Sequence, residues 1–370
     1  MVFFLTDKTL FNDKGIALFL VLWVLTLLSV IAGQFCHAMR TEINITRNFA
    51  EETNAYYIAK AGLNIALTEL IRSQTRAGTQ ASAGSPFQTE GDKRLFPAKK
   101  TKGALASAEK KGEDADRENA ILQWRINTVL PAVLFADGSF AVHIGNESGK
   151  IDINRADERM LGMIFSAFAV DEKTKSILTD SILDWRDTDD LHRINGAEDK
   201  YYQSLDNPYS AKNGNFDSVD ELLLVRGMTS EIFYGGLREM LTVYADSAQG
   251  EANRININAA SAKMLRALPG MTEELAEAVE LYRKEKDFKA INQLIPILGD
   301  EVYAAVSPYL SLQLSPVWTI RSEGSVSDSS VREGVSAVVK IDPRVKNRYT
   351  VMQWTDSLEY PLYVHTEAGK

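Results

Sequence analysis

From Ile16 to Met39 the chain carries no Asp, Glu, Lys or Arg, and no other feature constrains the fold as strongly. As a helix rising 1.5 Å per residue this stretch spans about 36 Å, enough for a hydrocarbon core of roughly 30 Å. A secretory signal peptide is the simple alternative. Its apolar region, however, runs to only about 7–15 residues and ends at a small-x-small cleavage site. Here the apolar run is longer and no helix break follows. Residues 40–73 lack proline and place Ile45, Phe49, Tyr56, Leu63, Leu67 and Leu70 at helical spacing among polar side chains. The pattern predicts one helix from Ile16 to about Ser73, roughly 85 Å long, lipophilic in its first half and amphipathic in its second.

The remainder has a globular balance, with 45% hydrophobic and 25% charged residues over 370 positions. A slightly negative mean hydropathy excludes a polytopic membrane protein. The net charge of −9 argues against a chain that holds nucleic acid through phosphate contacts. The single Cys36 excludes an intrachain disulfide framework and a Cys-rich zinc site. Residues 74–118 are rich in small and charged side chains without periodicity, as expected of a flexible insertion. Period-two alternation marks residues 119–150, with a hairpin signal at Asp137-Gly138, and returns in three segments within residues 308–370. Between these lie residues 151–307, which are mostly helical in pattern. The expected fold class is therefore α+β. A long amino-terminal helix, with its transmembrane segment at 16–39, packs on an antiparallel sheet, and a large α-helical domain is inserted into the head.

The inserted region repeats itself. Ile151 to Leu161 (IDINRADERML) resembles Ile255 to Leu265 (ININAASAKML), and Leu224 to Thr229 resembles Ala267 to Thr272. In the second pair a glycine supplies a tight turn and a threonine caps the next helix. FDSVDELLLVRG and DFKAINQLIPILG form a further matched pair. The pattern is that of helix-hairpin-helix units in a sterile-alpha-motif-like helical domain.

The densest polar constellation is DWRDTDDLHRINGAEDKYY, from Asp184 to Tyr202. Asp184 and Asp187 share a helix face if the helix continues through Trp185, and Asp189, Asp190, Glu198 and Asp199 follow. Carboxylates concentrated this way suit a hard cation such as calcium, which takes six to eight oxygens. The spacing is not that of an EF-hand, and a solvated acidic loop with helix caps is the competing reading. Catalytic templates are not met. His37, His143, His192 and His365 do not form metalloprotease spacings, and there is no P-loop, no G-x-G-x-x-G and no G-x-S-x-G. No enzyme is expected.

Lys14-Gly15 ahead of KGIALFLVLWVLTLLSVIAG resembles the processing site of prepilins and prepseudopilins. The absence of a glutamate at mature position five, where Leu20 stands, is similar to the GspK family of minor pseudopilins of type II secretion. The resemblance extends to NESGKIDIN, to D-W-x-D-x-D followed by G-A-E-D-x-Y-Y, and to ININAAS, in that order along the chain. It implies a leader of residues 1–15, cut by prepilin peptidase between Gly15 and Ile16, with methylation of the new terminus at Ile16. It further implies calcium in the helical domain. Asp187, Asp189 and Glu198 would be the first ligands, Asp184 and Asp199 secondary ones, and Asn215 a source of a carbonyl oxygen. The partners implied are the minor pseudopilins GspI and GspJ, within a tip complex that starts and caps the pseudopilus. The setting implied is a single-pass protein of the bacterial inner membrane with its head in the periplasm.

A membrane-anchored DNA receptor of the competence type also combines one membrane helix with helix-hairpin-helix repeats. In this sequence Thr229 and Thr272 replace the second glycine of the phosphate-holding turn. Between Ile255 and Asp300 seven acidic residues oppose six basic ones, so attraction for phosphate is poor.

Overall fold

The computed structural model describes residues 13–77, 126–127, 130, 132–168, 170–244 and 253–356, with backbone only at residues 13–17 and 74–77. The segment 78–125, which holds most of the expected insertion, lies outside the described residues. Helix α1 runs Asp13–Ala77 without interruption, longer at each end than the pattern from Ile16 to Ser73. Among the described residues it is the one helix long and apolar enough to cross a membrane. Leu18 to Met39 are exposed throughout.

Among the described residues five antiparallel strands form the head sheet in the order β1-β2-β7-β8-β9. They are β1 (Val133–Phe135), β2 (Gly138–Asn146), β7 (Val317–Val326), β8 (Arg332–Ile341) and β9 (Tyr349–Thr355). The second half of α1 lies across one face of this sheet. Ile58, Leu63, Leu67 and Leu70 pack against Phe140, Ile144, Trp318 and Val339, burial of a kind that stabilises by about 1.5–3 kcal/mol per large side chain. The close approach depends on missing side chains. A Cβ on Gly324 would stand 2.2 Å from the Ala55 carbonyl oxygen, and one on Gly62 would stand 2.5 Å from Ser322 Oγ. Two positions of the expected apolar stripe do not join the core. Ile45 and Phe49 are 47% and 64% exposed, because α1 reaches Ala55 before it meets the sheet.

These contacts fix polarity. Gly138 and Gly324, at one end of their strands, sit beside Ile58 and Ala55, near the membrane helix. β2 and β7 therefore run between that end and a distal end at Asn146 and Trp318, which pair across the ladder. The helical domain is inserted there, between Asn146 and Val317, at the end of the head farthest from the membrane segment.

That domain is built twice. β3 (Ile151–Asp152) pairs in parallel with β4 (Leu241–Thr242), and β5 (Ile255–Asn256) pairs in parallel with β6 (Leu310–Ser311). After each first strand an Asx turn forms, Asp152 Oδ1 accepting from Asn154 N and Asn256 Oδ1 accepting from Asn258 N. Helices α2 (Glu158–Ser166) and α3 (Glu172–Arg186) follow in the first copy, capped by Asp157 and Asp171. In the second copy α5 (Ala262–Arg266) and α6 (Glu273–Glu285) follow, capped by Ser261 and Thr272. At the end of α3, Arg186 donates to the carbonyls of Ile153 and Ala156. Arg283, on α6, donates to those of Ile257 and Ala260. Helix α7 (Ile295–Val306) carries Gly299 at φ 75°, matching Gly227 at φ 86° in the first copy. Gly227 and Gly270 do each make a positive-φ turn ahead of a capping threonine, but within the duplicated frame Gly227 corresponds to Gly299. A local turn motif recurs wherever one helix follows another closely, so it does not by itself set the register of a repeat.

Candidate functional site

The two copies differ most after the matching arginines. Five positions separate Arg283 from Phe288, whereas thirty separate Arg186 from Phe216. The added segment is the acidic loop with α4 (Asp199–Tyr202). It is fastened by a buried aromatic set in which Trp185 meets Tyr202 edge-on and stacks on Phe216. Arg226 also holds it, donating to the Gly196 carbonyl at 2.9 Å and lying over the Tyr201 ring.

Asp184 is fully buried on α3. Its Oδ1 accepts from Arg193 Nη1 at 2.6 Å and its Oδ2 from the Arg193 backbone N–H at 3.0 Å. Burial raises its pKa, a shift opposed by the Arg193 hydrogen bonds. A Cβ on Gly196 would overlap Asp184 Oδ2, so the glycine is what allows the loop to close over the carboxylate. Asp187, the residue just after α3, accepts from Arg193 Nη1 at 2.8 Å through Oδ2, while its buried Oδ1 has no partner. Glu198 is 5% exposed and neither carboxylate oxygen has a partner. Burial first, and then the charges of Asp184, Asp187, Asp190 and Asp189, push its pKa up to about 7. Asn213, at φ 47°, donates to Asp190 at 2.9 Å and keeps a buried, unpartnered Oδ1.

The sequence-chosen residues thus take different places. Asp187 and Glu198 present orphaned acceptor oxygens, and Asp184 anchors the loop. Asp189 is exposed and accepts from Leu191 N at 2.9 Å. The Asp199 carboxylate is engaged elsewhere, by Ala211 N at 2.7 Å and Gln203 Nε2 at 3.2 Å. Sequence reasoning chose Asn215 and passed over Asn213. The signal for Asn213 was the Asn-Gly pair, since asparagine tolerates the left-handed conformation that turns its side chain inward. Sequence reasoning also passed over Arg193, whose charge is spent inside the loop. Among the described residues no three carboxylate, histidine or cysteine side chains stand at metal-ligand spacing, with the Arg193 guanidinium between Asp184 and Asp187. The unpaired acceptor oxygens of Asp187, Glu198 and Asn213 are nevertheless of the chemical type an oxygen-loving cation takes.

Two other places bear on function. Glu147, buried after β2, accepts from Lys150 at 2.7 Å and from Thr319. Burial pushes its pKa up, but Lys150, Thr242 and Thr319 outweigh this and hold it below the ordinary carboxylate range. Because Thr242 belongs to β4 and Thr319 to β7, Glu147 joins the helical domain to the head beside a cleft of about 180 Å³. The turn of the second repeat offers little to a phosphate. Thr272 Oγ1 already takes the Leu275 N–H, and Arg266 is paired with Glu273.

A helix with an uncharged stretch long and apolar enough to cross a membrane, continuing into the core of an antiparallel head, defines a subunit of pilin-like, α+β fold. The family described as "Type II secretion system (T2SS), protein K" matches residues 141–246, and a helix-hairpin-helix motif family matches residues 250–311. The Aeromonas hydrophila type II secretion system protein K is 24% identical over 67% of this chain and 67% of its own length. The putative protein K of Escherichia coli K12 is 22% identical over 85% and 92%. A crystal structure of the GspK-GspI-GspJ complex from enterotoxigenic Escherichia coli aligns with 62% of this chain and 83% of its own, at 18% identity and a TM-score of 0.45. These matches make the chain similar to the type II secretion system protein K family, through the family model over residues 141–246 and over most of the chain in the Escherichia coli K12 relative.

Proposed function

We propose that this minor pseudopilin assembles with GspI and GspJ partners at the tip of the pseudopilus, where it initiates the filament and caps it. The observation that carries the reading is the position of the helical domain, attached at Asn146 and Val317 on the head's membrane-distal end. Filament growth from the membrane moves each subunit outward, so a bulky distal domain blocks any subunit stacked above it. Leu20 fits the same place. A buried carboxylate in the helix bundle needs a partner amine, and a tip subunit has no neighbour above to use one.

In this reading prepilin peptidase removes residues 1–15 between Gly15 and Ile16, Ile16 is methylated, and the head stands in the periplasm. Gly15 and Ile16 fall where the backbone alone is described, and the cleavage motif rests on sequence. Calcium belongs to the acidic loop. Asp187, Glu198 and Asn213 supply the unpartnered oxygens, Asp189 and Asp190 lie within the same field, and Asp184 fixes the loop. When bound, the ion supplies charge neutralisation that ties the added segment to the rest of the first repeat.

The test is to tag the head and image sheared pseudopili from cells that also make GspI and GspJ. Label at one end of each filament is the expected result. Label distributed along the shaft refutes the cap.

A further inference from the structure

The acidic loop carries its own cation. Arg193 Nη1 bridges Asp184 Oδ1 at 2.6 Å and Asp187 Oδ2 at 2.8 Å, a charge-assisted pair of contacts in a loop where Asp187 Oδ1, both Glu198 oxygens and Asn213 Oδ1 are unsatisfied. The three residues are not equally bound to their places. The Asp184 side chain is fully buried, packed under Gly196, and retains the Arg193 backbone N–H at 3.0 Å whatever the guanidinium does. The Arg193 side chain is 41% exposed. It sits in a short segment whose neighbours Leu191 and Ile194 are 79% and 96% exposed, so it can leave for water with little repacking. Asp187 sits between these extremes, with one oxygen on Arg193 and the other, buried, on nothing. Glu198, nine-tenths buried and unpartnered at both oxygens, faces the same carboxylates.

We propose that Arg193 is a tethered counter-ion for the acidic loop: its guanidinium satisfies Asp187 until a divalent cation displaces it, and the cost of that displacement sets the affinity of the site. Release of Arg193 gives Asp187 a second free oxygen in the segment that also holds the unpartnered oxygens of Glu198 and Asn213. It also removes a positive charge from within a few ångströms of the incoming ion. Both effects favour the cation, and they are lost together while the guanidinium stays in place. The inference rests on the calcium reading given above and adds to it the residue that regulates the site.

The experiment uses the full chain in detergent, stripped with chelator and titrated with calcium chloride by calorimetry, with melting curves recorded in chelator and in calcium. Removing the competing charge in Arg193→Gln should tighten calcium binding about tenfold. The same variant should melt below wild type in chelator and recover most of the difference in calcium. Arg193→Lys keeps the charge as a single point that cannot bridge both carboxylates, so its affinity should fall between the two. A Gln variant that folds only in calcium is the limiting form of the expected result. If the Gln variant folds in neither condition, the Lys variant decides: affinity at or below wild type overturns the proposal. Unchanged or weakened affinity in Arg193→Gln, or an equal loss of melting temperature with and without calcium, also overturns it and leaves the calcium reading standing. If wild type itself takes up no calcium, the calcium reading fails, and this inference with it.

Discussion

Asn154 and Phe216 hold each other through two hydrogen bonds: Asn154 Nδ2 donates to the Phe216 carbonyl at 2.9 Å, and Phe216 N donates to Asn154 Oδ1 at 2.7 Å. Asn258 makes the same pair with Phe288, at 2.9 Å in both directions. In each repeat an asparagine side chain thus replaces a missing strand neighbour. In the first repeat it also closes the base of the acidic loop, because Phe216 is where that added segment rejoins the shared frame.

Truncating either asparagine leaves a backbone N–H and C=O without partners. Asn154→Ala and Asn258→Ala should each lower stability by about 1–3 kcal/mol. Denaturant melts of the two variants would measure this, and a midpoint unchanged in both would show that water replaces the side chain at no cost. Only Asn154→Ala should also weaken the calcium response, since only that pair anchors the acidic loop.

The contact of α1 with the sheet leaves no room at Gly324. Gly324→Val places carbon against the Ala55 carbonyl, which should cost roughly 3 kcal/mol or more. Gly162, on α2 with nothing within 4 Å of its Cβ position, is the control. Gly162→Ala should be neutral or stabilising by up to about 1 kcal/mol. Equal melting temperatures for the two variants would contradict the packing described.

In the proposed calcium reading the ion binds the folded acidic loop and not the unfolded chain. At a concentration 100-fold above its dissociation constant, linkage gives about 2.7 kcal/mol. Chelation should therefore lower the melting temperature, and Asp187→Asn combined with Glu198→Gln should abolish the difference. Persistence of the full response in the double variant would place the ion elsewhere.

His143 lies on β2 opposite Arg321 of β7. Burial first, then the charges of Arg321 and Lys150, lower its pKa from 6.5 to about 4. The folded state binds this proton less readily than the unfolded state, so the neutral ring costs nothing above pH 6.5. Stability is then lost as pH falls from about 6.5 toward 4, by roughly 3 kcal/mol in all. The stability difference between wild type and His143→Gln should shift by about that amount between pH 7 and pH 4. A constant difference would mean that the ring titrates as it does in water.

Leu20 is 58% exposed on the membrane part of α1. Leu20→Glu places a carboxylate where a tip subunit has no amine from above, at a cost of several kcal/mol or with protonation of the group. Assembly should be weakened or at best unchanged, as read by crosslinking to GspI and GspJ and by secretion of a reporter. Repeated incorporation of the variant along the shaft would show that the missing charge, and not the bulk of the head, keeps this subunit at the tip.

The uncharged stretch, the alternating strands and the duplicated IDIN and ININ turns were legible in the residues alone. Each of these is a local pattern whose period or turn chemistry is set by neighbouring residues. The acidic loop was legible as a concentration of carboxylates, because composition along a short stretch is visible without a fold. Which of their oxygens lack a partner follows from the folded arrangement. Asp199 is consumed by Ala211 and Gln203, Asp184 by Arg193, and the unpartnered oxygens belong to Asp187, Glu198 and Asn213. Whether a polar group is satisfied depends on partners brought in from distant positions and on the exclusion of water, and neither is encoded in local spacing. The same holds for the frame of the duplication. Gly227 matches Gly270 as a turn but Gly299 as a position in the fold, because the frame is set by which strands pair and which helices pack.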